Sequence, residues 1–210
     1  MSPRGRRRLR GVVAGAALVL ALPPAAAASA AGGPPGRLPQ TRVEPSFAGA
    51  LTRSMARLAA AIGRDDPARA LAVFFPEPAY VRMKTGRIPD PAADYADRLV
   101  AFFRLDVAAY HAVLDAGSPA RFVRVVADPA DAQWIPPGAC ENAIGYWHEP
   151  GVRLVFAHDH RFVSVGVDSL ISWRGVWYVV HLGPNPRPRD VGTVLGYSLG
   201  PGRPGPPGGC

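Results

Sequence analysis

Long apolar runs, cysteines and catalytic signatures are all scarce in this chain. Gly11 to Leu22 is apolar for only a dozen residues, short of the roughly 20 that a bilayer-crossing helix needs. Two cysteines occur, Cys140 and Cys210, so one intramolecular disulfide is the most the chain can form. There is no G-x-S-x-G, no P-loop, no dinucleotide fingerprint and no H-E-x-x-H, which removes the motifs that would announce a hydrolase, a nucleotide binder or a zinc protease. No basic stripe is interleaved with aromatics, so nucleic acid is not an expected partner. No internal repeat of fixed period is present.

What is there suits one globular domain: 210 residues, 48% hydrophobic and 19% charged. Arg4, Arg6, Arg7, Arg8 and Arg10 precede the apolar run, Pro23 and Pro24 end it, and Ala28-Ser29-Ala30 follows. That layout predicts a secretory signal peptide over residues 1–30, cleaved near Ala30, and a secreted or cell-envelope location with no membrane span in the mature chain. Five of the 24 basic residues leave with the leader, so 19 face 16 acids, a net of about +3. In an oxidising compartment Cys140 and Cys210 are expected to pair, pinning a Gly/Pro-rich tail to the body; a bridge between two chains is the alternative.

Residues 31–45 read as a flexible Gly/Pro lead-in and residues 46–183 as the domain. Ser46 is an expected N-cap, and Phe47, Leu51, Met55, Leu58 and Ile62 form one helical stripe that Gly63 stops. Asp66-Pro67 and Asp90-Pro91 each predict a capped helix start. The first opens a short helix with Leu71, Phe74 and Phe75. The second opens a long one, running to Gly117, with Tyr95, Leu99, Phe102, Phe103, Tyr110 and Leu114 inward. Asp94 and Arg98 make an i,i+4 pair on its outer side, and His111 is a boundary residue. Ala79 to Met83 reads as a short strand.

After Gly117 the period changes to two. Phe122 to Val126 is a strand and Asp128 to Gly138 a loop. A meander follows through turns at Pro150-Gly151, Asp159-His160 and Arg174-Gly175. Helices first and an antiparallel sheet afterwards predict an α+β fold whose sheet ends in a long hairpin, Arg161 to Gly183.

The order of helices, the opening Asp66-Pro67-Ala68-Arg69-Ala70-Leu71 and the closing Ser172-Trp173-Arg174-Gly175-Val176-Trp177 resemble the nuclear-transport-factor-2-like (SnoaL and ketosteroid-isomerase type) superfamily over roughly residues 46–183. The resemblance implies a curved sheet roofed by helices, able to enclose an apolar pocket. It also implies a range of roles, from isomerases, cyclases and dehydratases to non-catalytic binding and dimerisation domains. The isomerase-type members carry an acidic base near the first strand; here Tyr80-Val81-Arg82-Met83-Lys84 holds no acid.

Two-residue turns at all three positions would pair Trp147 with Leu154, Leu154 with Val165, Ile171 with Tyr178 and Asp168 with His181. One face then collects Trp147, Leu154, Phe156, Val163, Val165, Val167, Ile171, Trp173, Val176, Tyr178, Val180 and Leu182. Burial worth about 1.5–3 kcal/mol per side chain makes it the core face, and any pocket is expected there beside Trp147, Trp173 and Tyr178. The opposite face carries Asp168, His181, His148 and Arg153, a row able to bind an anion or move protons, or simply to form cross-strand pairs on a solvated surface. His158-Asp159-His160 is the one metal-like spelling and reads as a hairpin tip; no metal or cofactor is expected. Three functions fit: non-catalytic capture of a small ligand or envelope protein, a secreted isomerase or cyclase using Asp168 and His181, and a structural module such as a homodimer.

Overall fold

Asp-Pro pairs set the helical half. In the computed structural model, which describes residues 38–115 and 118–206, the Asp66 carboxylate accepts the Arg69 N–H and Asp90 accepts that of Ala93. Each caps a helix whose first residue is Pro, as expected. Residues 1–30, where a signal peptide is expected, and Cys210 lie outside the described residues. The helices are α1 (Ala50–Ile62), α2 (Pro67–Ala70, continued by a 3-10 turn, Leu71–Val73), α3 (Glu77–Met83), α4 (Pro91–Asp94) and α5 (Ala101–Leu114). Helix α1 buries Leu51, Met55, Leu58 and Ile62 as its stripe requires, but starts four residues later than Ser46, whose hydroxyl instead takes the Ala48 N–H.

Two helical details depart from expectation. Ala79 to Met83 belongs to α3, because Pro78 in the first turn presets helical φ and Tyr80 and Met83, three apart, share the buried side. The long run from Asp90 is not uniformly α-helical. Tyr95–Val100, between α4 and α5, is a π-helical segment, a wider turn often found at functional sites.

Six antiparallel strands follow: β1 (Arg121–Val126), β2 (Gln133–Ile135), β3 (Tyr146–His158), β4 (Arg161–Trp173), β5 (Val176–His181) and β6 (Ser198–Leu199). The order is β1-β3-β4-β5, with β2 also on β3 and β6 also on β4, so the fold is α+β. Asp159 and His160, and Arg174 and Gly175, all have positive φ, the backbone that tight two-residue hairpins require. His158-Asp159-His160 is accordingly a hairpin tip.

Pro150-Gly151 is not a turn. Strand β3 runs straight through it, with His148 opposite Ile171, Pro150 opposite Ser169 and Leu154 opposite Val165. On the far edge β2 pairs with residues 146–148 and β1 with 153–157, so Pro150 falls in the gap where its missing N–H is not needed. Gly151 has φ +62°, and a Cβ there would stand 2.5 Å from the Gly205 carbonyl oxygen. Continuity reverses the expected facing at the start of β3. Tyr146 and His148 share the face of Val152, Leu154, Val165 and Val167, while Trp147 lies on the other with Glu149 and Arg153.

A second shift occurs in β5. Ser169, not Asp168, is opposite His181, because Val180 is an extra residue between the Leu170–Val179 and Ser169–His181 pairs. His181 thereby joins His148 and Ile171 on the face toward α3.

The other face, expected to be solvated, is covered. Gln40 donates to the carbonyls of Gly145 and Ser172 and accepts the Arg174 N–H; the indoles of Trp147 and Trp177 donate to the carbonyls of Arg42 and Pro45. From the other end, the Leu195 carbonyl accepts the Gly166 N–H, and β6 pairs with Val163 and Ser164. Gly166 is required here, since a Cβ would stand 2.6 Å from the Leu195 side chain. The chain segments on both sides of the domain thus form a second layer, and Val155, Ser164, Leu170 and Trp177 are buried beneath it.

Candidate functional site

A cavity of about 480 Å³ opens between α3, the π-helical segment and the sheet. The sheet contributes His148, Ser169, Ile171, Val180 and His181, with Asp168 and Tyr146 beside them; α3 and its C-terminal flank supply Tyr80, Met83 and Lys84. Arg98 and Leu99 come from the π-helical segment, Phe75 from the turn before α3, and Asn185 and Pro186 from the tail. Its size lies within the roughly 300–1,000 Å³ of pockets that take small organic ligands.

The expected site residues distribute unevenly around it. Trp173 and Tyr178 sit behind Phe75, which meets both rings edge-on at 6.3 and 6.0 Å, so they brace the wall and do not form it. Trp147 is on the opposite face against Trp134. Arg153 is also there. Its Nη2 donates to the Ser164 carbonyl and hydroxyl at 2.9 Å and to the Gly196 carbonyl at 2.5 Å, which makes it a clamp for the tail. His148, Asp168 and His181 do line the cavity, on the side where the sequence placed core aromatics.

Asp168 and His181 share the cavity without the expected cross-strand pairing. Asp168 holds its register through its own N–H on the Leu182 carbonyl, 3.1 Å, and its carboxylate receives one long contact, 3.5 Å, from the Ser169 hydroxyl. Burial, with a smaller contribution from Asp106, pushes the Asp168 carboxyl up to about 6. Neither ring nitrogen of His181 has a hydrogen-bond partner among the described residues. Burial, followed by Arg98, His148, Lys84 and Arg187, pushes its imidazole down to about 4, so it is neutral at pH 7. His148 Nε2 lies 2.9 Å from the Ser169 hydroxyl. A carboxylate near its protonation point and a neutral imidazole lining one cavity are groups able to take up and return a proton to a molecule bound there.

The remaining polar wall was not anticipated in position. Asp94 and Arg98 form their pair, with Nη2 to Oδ2 at 2.5 Å and Nε to Oδ1 at 2.6 Å, but at the cavity and not on an outer surface. The Tyr80 hydroxyl donates to Asp94 and accepts from Arg98 at 3.1 Å. Burial alone would raise the Asp94 carboxyl; the bonds from Arg98 and Tyr80 hold it below the usual range. Lys84, the only lysine in the chain, places its ammonium 4.8 Å from the Tyr80 ring centroid. Its pKa is lowered by burial and then by Arg98. A lone lysine in an otherwise arginine-only set is the one sequence signal that would have drawn attention to it.

Asn185 and Pro186 reach the cavity because the tail is latched below them. Asp106, buried in α5, accepts the backbone N–H groups of Gly183 and Thr193 at 2.9 Å and pairs with Arg187. Tyr110, one turn on, is fully buried. Its hydroxyl lies 2.7 Å from the Gly166 carbonyl and 2.9 Å from that of Leu182, and accepts the Leu195 N–H at 3.0 Å.

Among the described residues no cluster of His, Cys, Asp or Glu is arranged to hold a metal ion, and no helix is long and apolar enough to cross a membrane. No protein-family model, curated protein or solved structure matches the chain.

Proposed function

We propose that this protein captures a small organic molecule in the cavity between α3, the π-helical segment and the sheet. The observation that carries the reading is a cavity of about 480 Å³ lined by Asp168 and His181, whose side chains have almost no partner among the described residues. Buried polar groups without partners cost about 1–3 kcal/mol each, and a sequence optimised for stability alone would fill such a space with apolar side chains. The experiment is ligand-observed NMR with a library of small aromatic and alicyclic compounds against the wild type and Val180→Trp, which fills the cavity from the β5 wall. Binding to the wild type that Val180→Trp removes is expected. No binding at all, or binding that survives the filled cavity, would sink the reading.

Assignment to the nuclear-transport-factor-2-like superfamily is part of this proposal, supported by helices preceding an antiparallel sheet with a cavity between the two. So is action outside the cytoplasm, supported by the sequence of residues 1–30. Mass spectrometry of the N-terminus of protein recovered from the periplasm or medium tests the latter.

A second reading, acid–base catalysis, is favoured by one specific feature: an Asp168 carboxyl raised to about 6 and a neutral His181 in one cavity. Asp168 would remove a proton from the bound molecule and His181 would polarise or reprotonate it. Deuterium exchange into a bound ligand, lost in Asp168→Asn with binding retained, is the expected result. Exchange at the same rate in both proteins refutes it.

A further inference from the structure

Several hydrogen-bond donors at the Lys84 end of the cavity have no acceptor among the described residues. The Lys84 ammonium has no acceptor among the described residues and rests on the Tyr80 ring. The Tyr146 hydroxyl accepts from Asn142 at 3.3 Å, leaving its own hydrogen without a partner among the described residues. Arg98 binds Asp94 and Tyr80 through Nε and Nη2 and leaves Nη1 unused. A neutral His181 carries one N–H, and the charged groups that weigh most on it are basic: Arg98, His148, Lys84 and Arg187. The acids that reach Lys84 are Glu141 and Asp94, and Asp94 is already held by Arg98 and Tyr80. Met83, Leu99 and Ile171 give the same region an apolar wall.

Resting on the cavity reading above, we propose that the ligand is an amphipathic monocarboxylic acid, its carboxylate seated between Lys84, Tyr146 and His181 and its apolar body against Met83, Leu99 and Ile171. One carboxylate satisfies three donors left unmatched among the described residues, and its single charge suits the single lysine. A phosphate dianion fits less well, because Asp168 faces the same space and no glycine-rich loop lines it.

The test compares 2-naphthoate with 2-naphthamide, which share a ring system and differ in charge, by calorimetry on the wild type, Lys84→Met, Lys84→Arg and Val180→Trp. Thermal melts confirm that each variant folds. A hydrogen-bonded charge is worth about tenfold or more in affinity, so naphthoate should bind the wild type at least that much more tightly than naphthamide. Lys84→Met should remove the difference, Lys84→Arg should keep most of it, and Val180→Trp should abolish binding of both. Equal binding of the two probes, blocked by Val180→Trp, overturns the carboxylate inference and leaves the cavity reading standing. A preference for naphthoate that persists in Lys84→Met also overturns it. Failure of both probes to bind, or binding indifferent to Val180→Trp, overturns both.

Discussion

Glu149 offers the sharpest test of the covered second face of the sheet. The side chain is completely buried, and neither carboxylate oxygen has a hydrogen bond of normal geometry among the described residues. Burial, then repulsion from Asp131, Asp128 and Glu44, outweighs the partial help of the Asp128 backbone N–H and pushes the carboxyl from its ordinary 4.5 up to about 8. The folded protein therefore keeps a proton that the unfolded chain gives up near its ordinary pKa. Between those two values the folded state binds more protons, so stability falls as pH rises and stops falling above pH 8. At about 1.4 kcal/mol for each pH unit, the full effect of a rise from 4.5 to about 8 is about 5 kcal/mol. That figure is an upper bound, since water entry or a small shift of the Asp128 loop would ease the charge. Glu149→Gln keeps the shape and removes the titration. Urea unfolding of wild type and variant at pH 5, 7 and 9 isolates the term, because other titrating groups cancel in the difference. The variant should match the wild type near pH 5 and exceed it by several kcal/mol at pH 9. A difference that does not change with pH, or a variant less stable than wild type at pH 9, would show that Glu149 is solvated or paired and that the second layer does not seal this face.

The tail latch yields two further expectations. Tyr110→Phe removes the hydroxyl that the Gly166 and Leu182 carbonyls share and leaves the Leu195 N–H without its acceptor, while Leu182 keeps the Asp168 N–H; it should cost about 1–3 kcal/mol in urea unfolding, and a smaller change would mean that water replaces the hydroxyl. Asp106→Ala leaves Arg187 buried without its partner, a loss of about 3–5 kcal/mol, and should make the tail susceptible to limited proteolysis before the core; protection of the tail would count against the latch. The His181 imidazole, followed by NMR, should stay neutral until pH falls to about 4; titration near the ordinary 6.5 would place it in contact with bulk water. For Cys140 and Cys210, intact mass with alkylation should show no modification before reduction and two after it, and a non-reducing gel separates the internal bond from an interchain one.

Much of the helical half was legible because its signals are local. A capping Asp before Pro at Asp66 and Asp90, and a 3.6-residue stripe from Leu51 to Ile62, depend only on neighbours within a turn. The tips at Asp159-His160 and Arg174-Gly175 are legible for the same reason. Pro150-Gly151 misleads because it carries a turn signal in a continuous strand. Pro150 is tolerated there only because β1 and β2 leave a gap on that edge, and Gly151 is required by contact with the distant Gly205. The π-helical segment at Tyr95–Val100 carries no local mark, so a pair expected on an outer surface, Asp94–Arg98, lies at the cavity.

Candidate residues were separable from their surroundings, but their facing was not. His148 changes face because β3 does not turn, and His181 because Val180 bulges. Each is a one-residue difference in register, and in a strand one residue exchanges the two faces. Alternation of polar and apolar residues could not correct the error, since the second face is also buried and bears Leu170, Trp177 and Val179 as well as Glu149 and Arg153.

The fold class, the two Asp-Pro helix starts, the tips at Asp159-His160 and Arg174-Gly175 and the short set of residues with chemistry to offer are written in the sequence, because each rests on backbone preferences and spacing within a few residues. Long-range packing is what sets His148, Asp168 and His181 around a cavity with Lys84, and what lays residues 38–45 and the tail over the opposite face. Those outcomes depend on strand register and on contacts between segments more than a hundred residues apart, such as Gln40 with Ser172, and no local pattern encodes them.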